Sequence, residues 1–267
     1  MPDRDVVRQV ATAAAIGGGF LVGVSGDYGD GRSSQSLVLP SGYAFAIWTP
    51  IYAGLFAHAI YQAFPAQRRD PLLRRTGWAT ACAVGISGFW VWTQKVPGLE
   101  LTLIAATTTA ALIAYLRSGP QPQEDPTSRR DRWLVRVPLG LFGGWITVAT
   151  VAGGGEALIA AGLKAPWPGA EVWSAAVLIA AGAAAGTIAL RKPVSLAYAA
   201  AVSWGLAAVA VRNLPRHRVP GIAAILAGTA VAAAGCAGAW KRARSLERRE
   251  MNGAPGSAPA SGTPQSA

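Results

Sequence analysis

Charge is the scarcest property of this chain. Only 14% of its 267 residues are Asp, Glu, Lys or Arg, whereas a soluble domain carries roughly 25%. The charges that exist lie in short clusters between long apolar runs, and 52% of the chain is hydrophobic. That pattern excludes a water-soluble globular domain. Cysteine is almost missing. Cys82 and Cys236 each stand alone inside an apolar run, which excludes a disulfide framework and a thiolate metal site and leaves two small packing residues. No Ser/His/Asp set, HExxH, phosphate loop or paired carboxylates occurs, and Gly17-Gly18-Gly19 lies inside an apolar run without matching a dinucleotide fingerprint. An enzyme reading has little direct support, and no cofactor is assigned. The net charge of +11 does not indicate nucleic acid, because the basic residues flank apolar segments as orientation signals and headgroup contacts do.

What remains is an all-α class, a polytopic membrane helix bundle. Lipid cannot satisfy exposed backbone groups, so each apolar run must bond itself as a helix. Eight spans are predicted: 7–26, 43–64, 76–93, 99–116, 133–153, 172–190, 193–211 and 219–240. The first is read as a retained helix rather than a signal peptide, because its apolar part is long and more spans follow. Gly153-Gly154-Gly155 is expected to end or loosen the fifth. The loop 117–132, with Pro120, Pro122 and Pro126, reads as exposed. After Lys241 the chain turns basic and then rich in Gly, Ala, Pro and Ser, and is expected to be disordered.

Eight spans put both termini and three loops on one side. That side holds 18 of the 24 Lys and Arg residues, so both termini are expected in the cytoplasm and the chain in the cell membrane. Trp133, Trp173 and Trp240 fall at span ends, where interfacial anchoring is the default.

One stretch differs from the Ala, Val, Leu and Gly runs. At about 100° per residue, Phe45, Trp48, Tyr52 and Phe56 fall within one quarter of a helix surface, and Pro50 beside them predicts a kink or local opening. In span three Ser87, Trp90 and Gln94 share a face. In span five Pro138, Phe142, Trp145 and Ala149 do. Three helices thus each offer a tryptophan face, which suits either a pocket for a large flat apolar ligand or a packed aromatic core. His58 lies about 120° away from Tyr52 and is expected to bond a neighbouring helix. Glu156 is expected near the outer interface, in contact with water. Thr107, Thr108 and Thr109 are expected to bond carbonyls of their own helix. Gly228, Ala232 and Gly235 mark a small-residue packing face.

The run Phe45-x-x-Trp48-Thr49-x-x-Tyr52, preceded by Pro40, resembles the second helix of the tryptophan-rich sensory protein family, TspO/MBR, which includes the mitochondrial translocator protein. Phe89-Trp90-Val91-Trp92 resembles that family's third-helix aromatic cluster, and Pro97-Gly98 and the fourth span follow in order. The fifth span, Val137 to Ala149, is similar to the family's fifth helix, with a proline at its start and an inward tryptophan. The resemblance covers about 7–160, and the chain is similar to a longer branch with extra carboxyl-terminal helices. It implies a TspO-like five-helix region over 1–163, three additional transmembrane helices over 164–240 and a tail over 241–267. The Trp-x-Pro-Pro loop before span two, the Asn before the third-span Trp and the Asn late in the fifth helix are absent here.

The resemblance implies a cavity enclosed by five helices. It also implies a hydrophobic, tetrapyrrole-like ligand and a sensor or carrier role. The candidate ligand-binding residues are Phe45, Trp48, Thr49, Tyr52, Trp90, Phe142 and Trp145, opening toward the outer leaflet. No catalytic or metal residue is assigned. The expected partners are the lipid bilayer, a hydrophobic small molecule and a second copy of the chain in a homodimer, with no nucleic acid. The alternatives are a secondary transporter of another small solute and a ligand-free membrane assembly partner.

Overall fold

Short caps and prolines set where the helices begin. In the computed structural model, which describes residues 3–25, 35–93, 96–121, 128–192 and 194–253, Asp3 accepts the Asp5 N–H at the start of α1 (Arg4–Val24). Asp70 accepts the Leu73 N–H at 2.9 Å, ahead of Pro71 in α3 (Pro71–Thr93). Pro97 opens α4 (Pro97–Arg117), and Ser195 caps α7 (Leu196–Asn213) through the Ala197 N–H. The other long helices are α2 (Trp48–Ala63), α5 (Val137–Ala160), α6 (Ala170–Arg191) and α8 (Arg218–Gly253). Proline suits a first helical turn because the N–H it lacks has no partner there anyway.

Eight long helices therefore stand where eight spans are predicted, and the described residues contain no strand. Six are long and apolar enough to cross a membrane; α3 and α7 fall short of that measure. Each has a physical reason. The α7 helix is buried along most of its length, including Tyr198, Ala201, Val202, Leu206 and Val209, so little of it needs to match lipid. The α3 helix spends positions on small and polar residues that fit it to α1. A Cβ on Gly88 would come 2.6 Å from the Gly19 carbonyl oxygen, and the buried Thr76 and Thr80 hydroxyls donate to carbonyls one turn back.

The first five helices close a ring: α1 packs on α3, α3 on α4, α4 on α5, α5 on α2, and α2 back on α1. The α7 helix packs on the outside of α5, and α8 packs on both α6 and α7. One end of the ring is tied by polar groups. Arg8 is buried and donates to the carbonyls of Leu73 (3.1 Å) and Arg68 (2.9 Å). Gln62 donates to the Gln9 carbonyl at 2.8 Å, and Gln9 returns the bond to the Gln62 carbonyl. Arg74 pairs with Asp5.

Several expectations are corrected. The glycine run 153–155 does not end α5, which continues to Ala160. Its glycines give clearance instead: a Cβ on Gly155 would come 2.6 Å from Val38 Cγ2 and 2.9 Å from Ser36 Oγ, so the segment before α2 lies directly on α5. The tail is not disordered from Lys241, since α8 runs on to Gly253. Lys, Arg and Glu are good helix formers. Arg242 donates to the Val194 carbonyl (3.2 Å), and the Arg244 guanidinium lies 3.8 Å from the Trp240 ring centre. Residues 254–267 lie outside the described residues, as do Gln94 and 122–127. On α8, Gly228 and Gly235 are buried but Ala232 is exposed, and the packing face continues through Ala224, Ala227 and Val231 because α6 and α7 flank the helix on two sides.

Candidate functional site

Span two does not begin as an α-helix. Gly42–Ile47 forms a tighter 3-10 turn, and α2 starts at Trp48. Pro50 therefore falls in the first α-helical turn. At three residues per turn, Phe45 and Trp48 stack along one edge. Beyond Trp48 the ordinary helical spacing brings Tyr52 and Phe56 onto the same side. Trp48 and Tyr52 stack with centroids 5.2 Å apart and planes at 25°. Phe20, the aromatic ring of α1, meets Tyr52 at 4.9 Å and Phe56 at 5.3 Å, both edge-on.

These rings wall a cavity of about 790 Å³. Phe45, Trp48, Thr49 and Tyr52 line it from α2 and its lead-in, Trp90 and Ser87 from α3, and Phe20 from α1. Ala53 and Phe56 of α2, and Leu39, Pro40 and Arg212, also line it. The Trp90 ring is oriented by its indole N–H, which donates to the buried Glu100 carboxylate at 3.0 Å. Phe142 and Trp145 do not line this cavity. They are fully buried one layer behind it: Trp145 meets Phe45 edge-on at 5.5 Å and Trp48 at 6.4 Å, and Phe142 lies 6.3 Å from Trp48. That aromatic layer fills the space between α2 and α5, so the cavity lies among α1, α2, α3 and the 39–42 segment rather than at the centre of the ring.

The wall that contains Leu39, Pro40 and Arg212 is built by both halves of the chain. The Ser41 N–H and hydroxyl both donate to the Ala208 carbonyl of α7, at 3.2 and 3.1 Å. The Trp204 indole donates to the Ala44 carbonyl at 2.9 Å, and its ring meets Tyr43 edge-on at 5.7 Å. Asn213, buried at the end of α7, donates to the Leu37 carbonyl at 2.9 Å. The segment that leads into α2 is thus held by a helix outside the ring.

Most of the remaining candidates have structural partners. His58 Nδ1 sits 2.9 Å from the Leu134 carbonyl oxygen. Pro138, four residues after Leu134, has no N–H for that oxygen, and a π-helical turn at Arg132–Arg136 precedes it. Since a carbonyl only accepts, the imidazole donates from Nδ1. His58 is buried and outside the cavity lining. Among Thr107–Thr109, Thr108 and Thr109 donate to the carbonyls of Ile104 and Ala105, each at 2.8 Å, and Thr108 also meets Thr150. Thr107 departs from the expectation: it is buried beside Trp48 and Trp90, and its hydroxyl has no hydrogen-bond partner. Glu156 is half-buried. Among the described residues no three His, Cys, Asp or Glu side chains come together as a metal site would require.

Sequence reasoning missed Phe20, Glu100 and Arg212. Phe20 had a signal, being the one ring in an otherwise Ala- and Gly-rich run. Arg212 falls just past the predicted span 193–211, and only the packing of α7 brings it to the cavity.

The profile of a family described as TSPO-like protein matches residues 10–238. The chain belongs to this family. The match runs beyond 160, through α6, α7 and most of α8, so the TSPO-like pattern covers the three added helices as well as the ring. No curated protein and no solved structure matches the chain at a significant level. Membership agrees with the multi-pass helical architecture.

Proposed function

We propose that this TSPO-like membrane protein binds a hydrophobic, tetrapyrrole-like molecule in the cavity walled by Phe20, Trp48, Tyr52 and Trp90, acting as a sensor or carrier without enzymatic chemistry. The observation that carries the reading is the cavity itself. Its volume of about 790 Å³ lies within the roughly 300–1,000 Å³ range of small-molecule sites, and its wall is mostly apolar, with six aromatic rings and few polar groups. Flat rings favour a flat apolar ligand by stacking and edge contacts. The polar ties of Arg8, Gln9 and Gln62 at the far end favour a site with one entrance over a path through the bundle. With the basic side of the chain in the cytoplasm of a cell-membrane protein, that entrance faces the outer leaflet.

The test is a titration of purified protein with protoporphyrin IX, read by tryptophan quenching. Saturable quenching that weakens at least tenfold in Trp48→Ala supports the site. Unsaturable quenching, or quenching untouched by Trp48→Ala, rejects it. Native mass spectrometry from mild detergent reads the bound molecule and the copy number together, a homodimer being the expected state.

A further inference from the structure

We propose that Thr107 of α4 and Ser87 of α3 bind one water molecule behind the aromatic wall, in a small cavity closed by Trp48 and Trp90. This site goes beyond the ligand reading, because it needs nothing in the large cavity. A hydroxyl that its own helix does not use points to it. Thr107 is 2% exposed, and its Oγ1 has no hydrogen-bond partner. A threonine inside a helix commonly donates to the carbonyl four residues back. Thr102, Thr108 and Thr109 of the same helix do so, each at 2.8 Å. On the facing α5, Thr147 and Thr150 do so at 2.8 Å as well. Thr107 does not. It lines a cavity of about 10 Å³ together with Trp48, Ser87, Trp90, Ile104 and Ile146.

A buried hydroxyl without a partner gives up its bonds to water and gains nothing in return. A bound water removes that cost where there is room and at least two polar groups to hold it. The cavity stands at the lower edge of the roughly 10–15 Å³ that one water requires. Thr107 is the first polar group. Ser87 is the second: its proton goes to the Val84 carbonyl at 2.9 Å, so its oxygen accepts. The Thr107 hydroxyl then donates to the water, and the water donates to Ser87. These two bonds join α3 to α4 directly behind both indoles. Trp48, Ser87 and Trp90 also line the large cavity, to which α4 contributes no described residue. Through the water α4 supports a wall that it does not itself form.

The experiment uses full-length protein in phosphatidylcholine nanodiscs with no ligand added, deuterated except for the isoleucine δ1 methyls. Ile104 and Ile146 line the small cavity and not the large one, so a magnetisation transfer from water to their methyls reports water in the small cavity. Wild type is expected to show it. Thr107→Val keeps the shape of the side chain without the hydroxyl and should abolish the transfer, while Thr107→Ser should keep it. The unfolding midpoint supplies the second readout, and its sign decides. If Thr107 holds water, Thr107→Val should lower the midpoint by about 2–4 °C, the shift that one lost hydrogen-bonded contact gives in a chain of this size. If the hydroxyl is buried with no partner at all, the same substitution relieves a penalty and raises the midpoint. No transfer in wild type, transfer that persists in Thr107→Val, or a midpoint unchanged or raised by Thr107→Val each overturns the inference. None of these outcomes bears on protoporphyrin quenching, so the ligand reading stands or falls separately.

Discussion

The two halves of this bundle solve helix packing in opposite ways. In the ring of α1 to α5 the contacts around the cavity are made by large rings, and about 790 Å³ stays open among them. Where α5, α6 and α7 meet, a pocket of only about 20 Å³ is lined by Val, Leu, Ala and Gly with Thr147. Rings are rigid and meet at fixed angles and distances, so three or four of them on neighbouring helices leave space that no methyl group fills. Alanine and glycine let backbones close up: a Cβ on Gly182 would come 2.6 Å from the Ala227 Cβ. Without a hydrophobic drive between helices in lipid, such close approach is the main source of association. One half is therefore built to hold something, and the other is built to hold itself and the rim of the first.

The sharpest break of this contrast is Trp145→Ala. Trp145 is fully buried behind Phe45 and Trp48, so its loss should cost about 3–5 kcal/mol of stability, seen as a lowered midpoint in thermal unfolding in detergent. If the midpoint stays put, the layer behind the cavity is not the packed wall described. Next in size is Gly182→Leu in the second half. Overpacking there should cost about 1–3 kcal/mol and loosen α6 from α8, read by the same unfolding assay and by faster proteolysis of the α6–α8 region.

A smaller change tests whether the halves are joined. Trp204→Phe keeps a ring beside Tyr43 but removes the indole donor to the Ala44 carbonyl. A loss of about 1 kcal/mol is expected, together with a several-fold drop in protoporphyrin affinity, although Trp204 does not line the cavity. Unchanged affinity would mean that the rim holds its shape without α7.

How much of this was legible in the sequence follows from how far apart the partners are. Apolar runs and their flanking prolines are local, and they marked all eight helices. The aromatic spacing of α2 is local too, and it brought Phe45, Trp48 and Tyr52 to one wall. What was illegible depends on long-range partners. Trp204 and Ala44 are 160 positions apart, and His58 and Leu134 are 76 apart. No pattern within a span tells that α7 will hold the segment leading into α2 or that an imidazole will answer Pro138. The glycine run of α5 misled for the same reason. Glycine lowers helix propensity locally, but here it makes room for Val38 and Ser36, more than a hundred residues earlier in the chain. Phe142 and Trp145 share the right face of α5, yet periodicity gives a direction and not a depth, so it could not say that they stand behind the cavity instead of on its wall.

The mildest prediction is also the cleanest comparison, because it adds bulk to the first half as Gly182→Leu does to the second. Ala53 lines the cavity on α2 and is exposed. Leucine there has open space to enter, so Ala53→Leu should change stability by no more than about 0.5 kcal/mol, as a substitution away from a packed contact does. Its effect should fall on binding instead. The added side chain takes up space beside Tyr52 and Phe56 and should weaken protoporphyrin quenching several-fold while the unfolding midpoint stays within error of wild type. Gly182→Leu should give the reverse, a lowered midpoint with quenching retained in the protein that remains folded. If Ala53→Leu lowers the midpoint as much as Gly182→Leu, the space on the α2 wall is not open in the membrane, and the two halves pack alike.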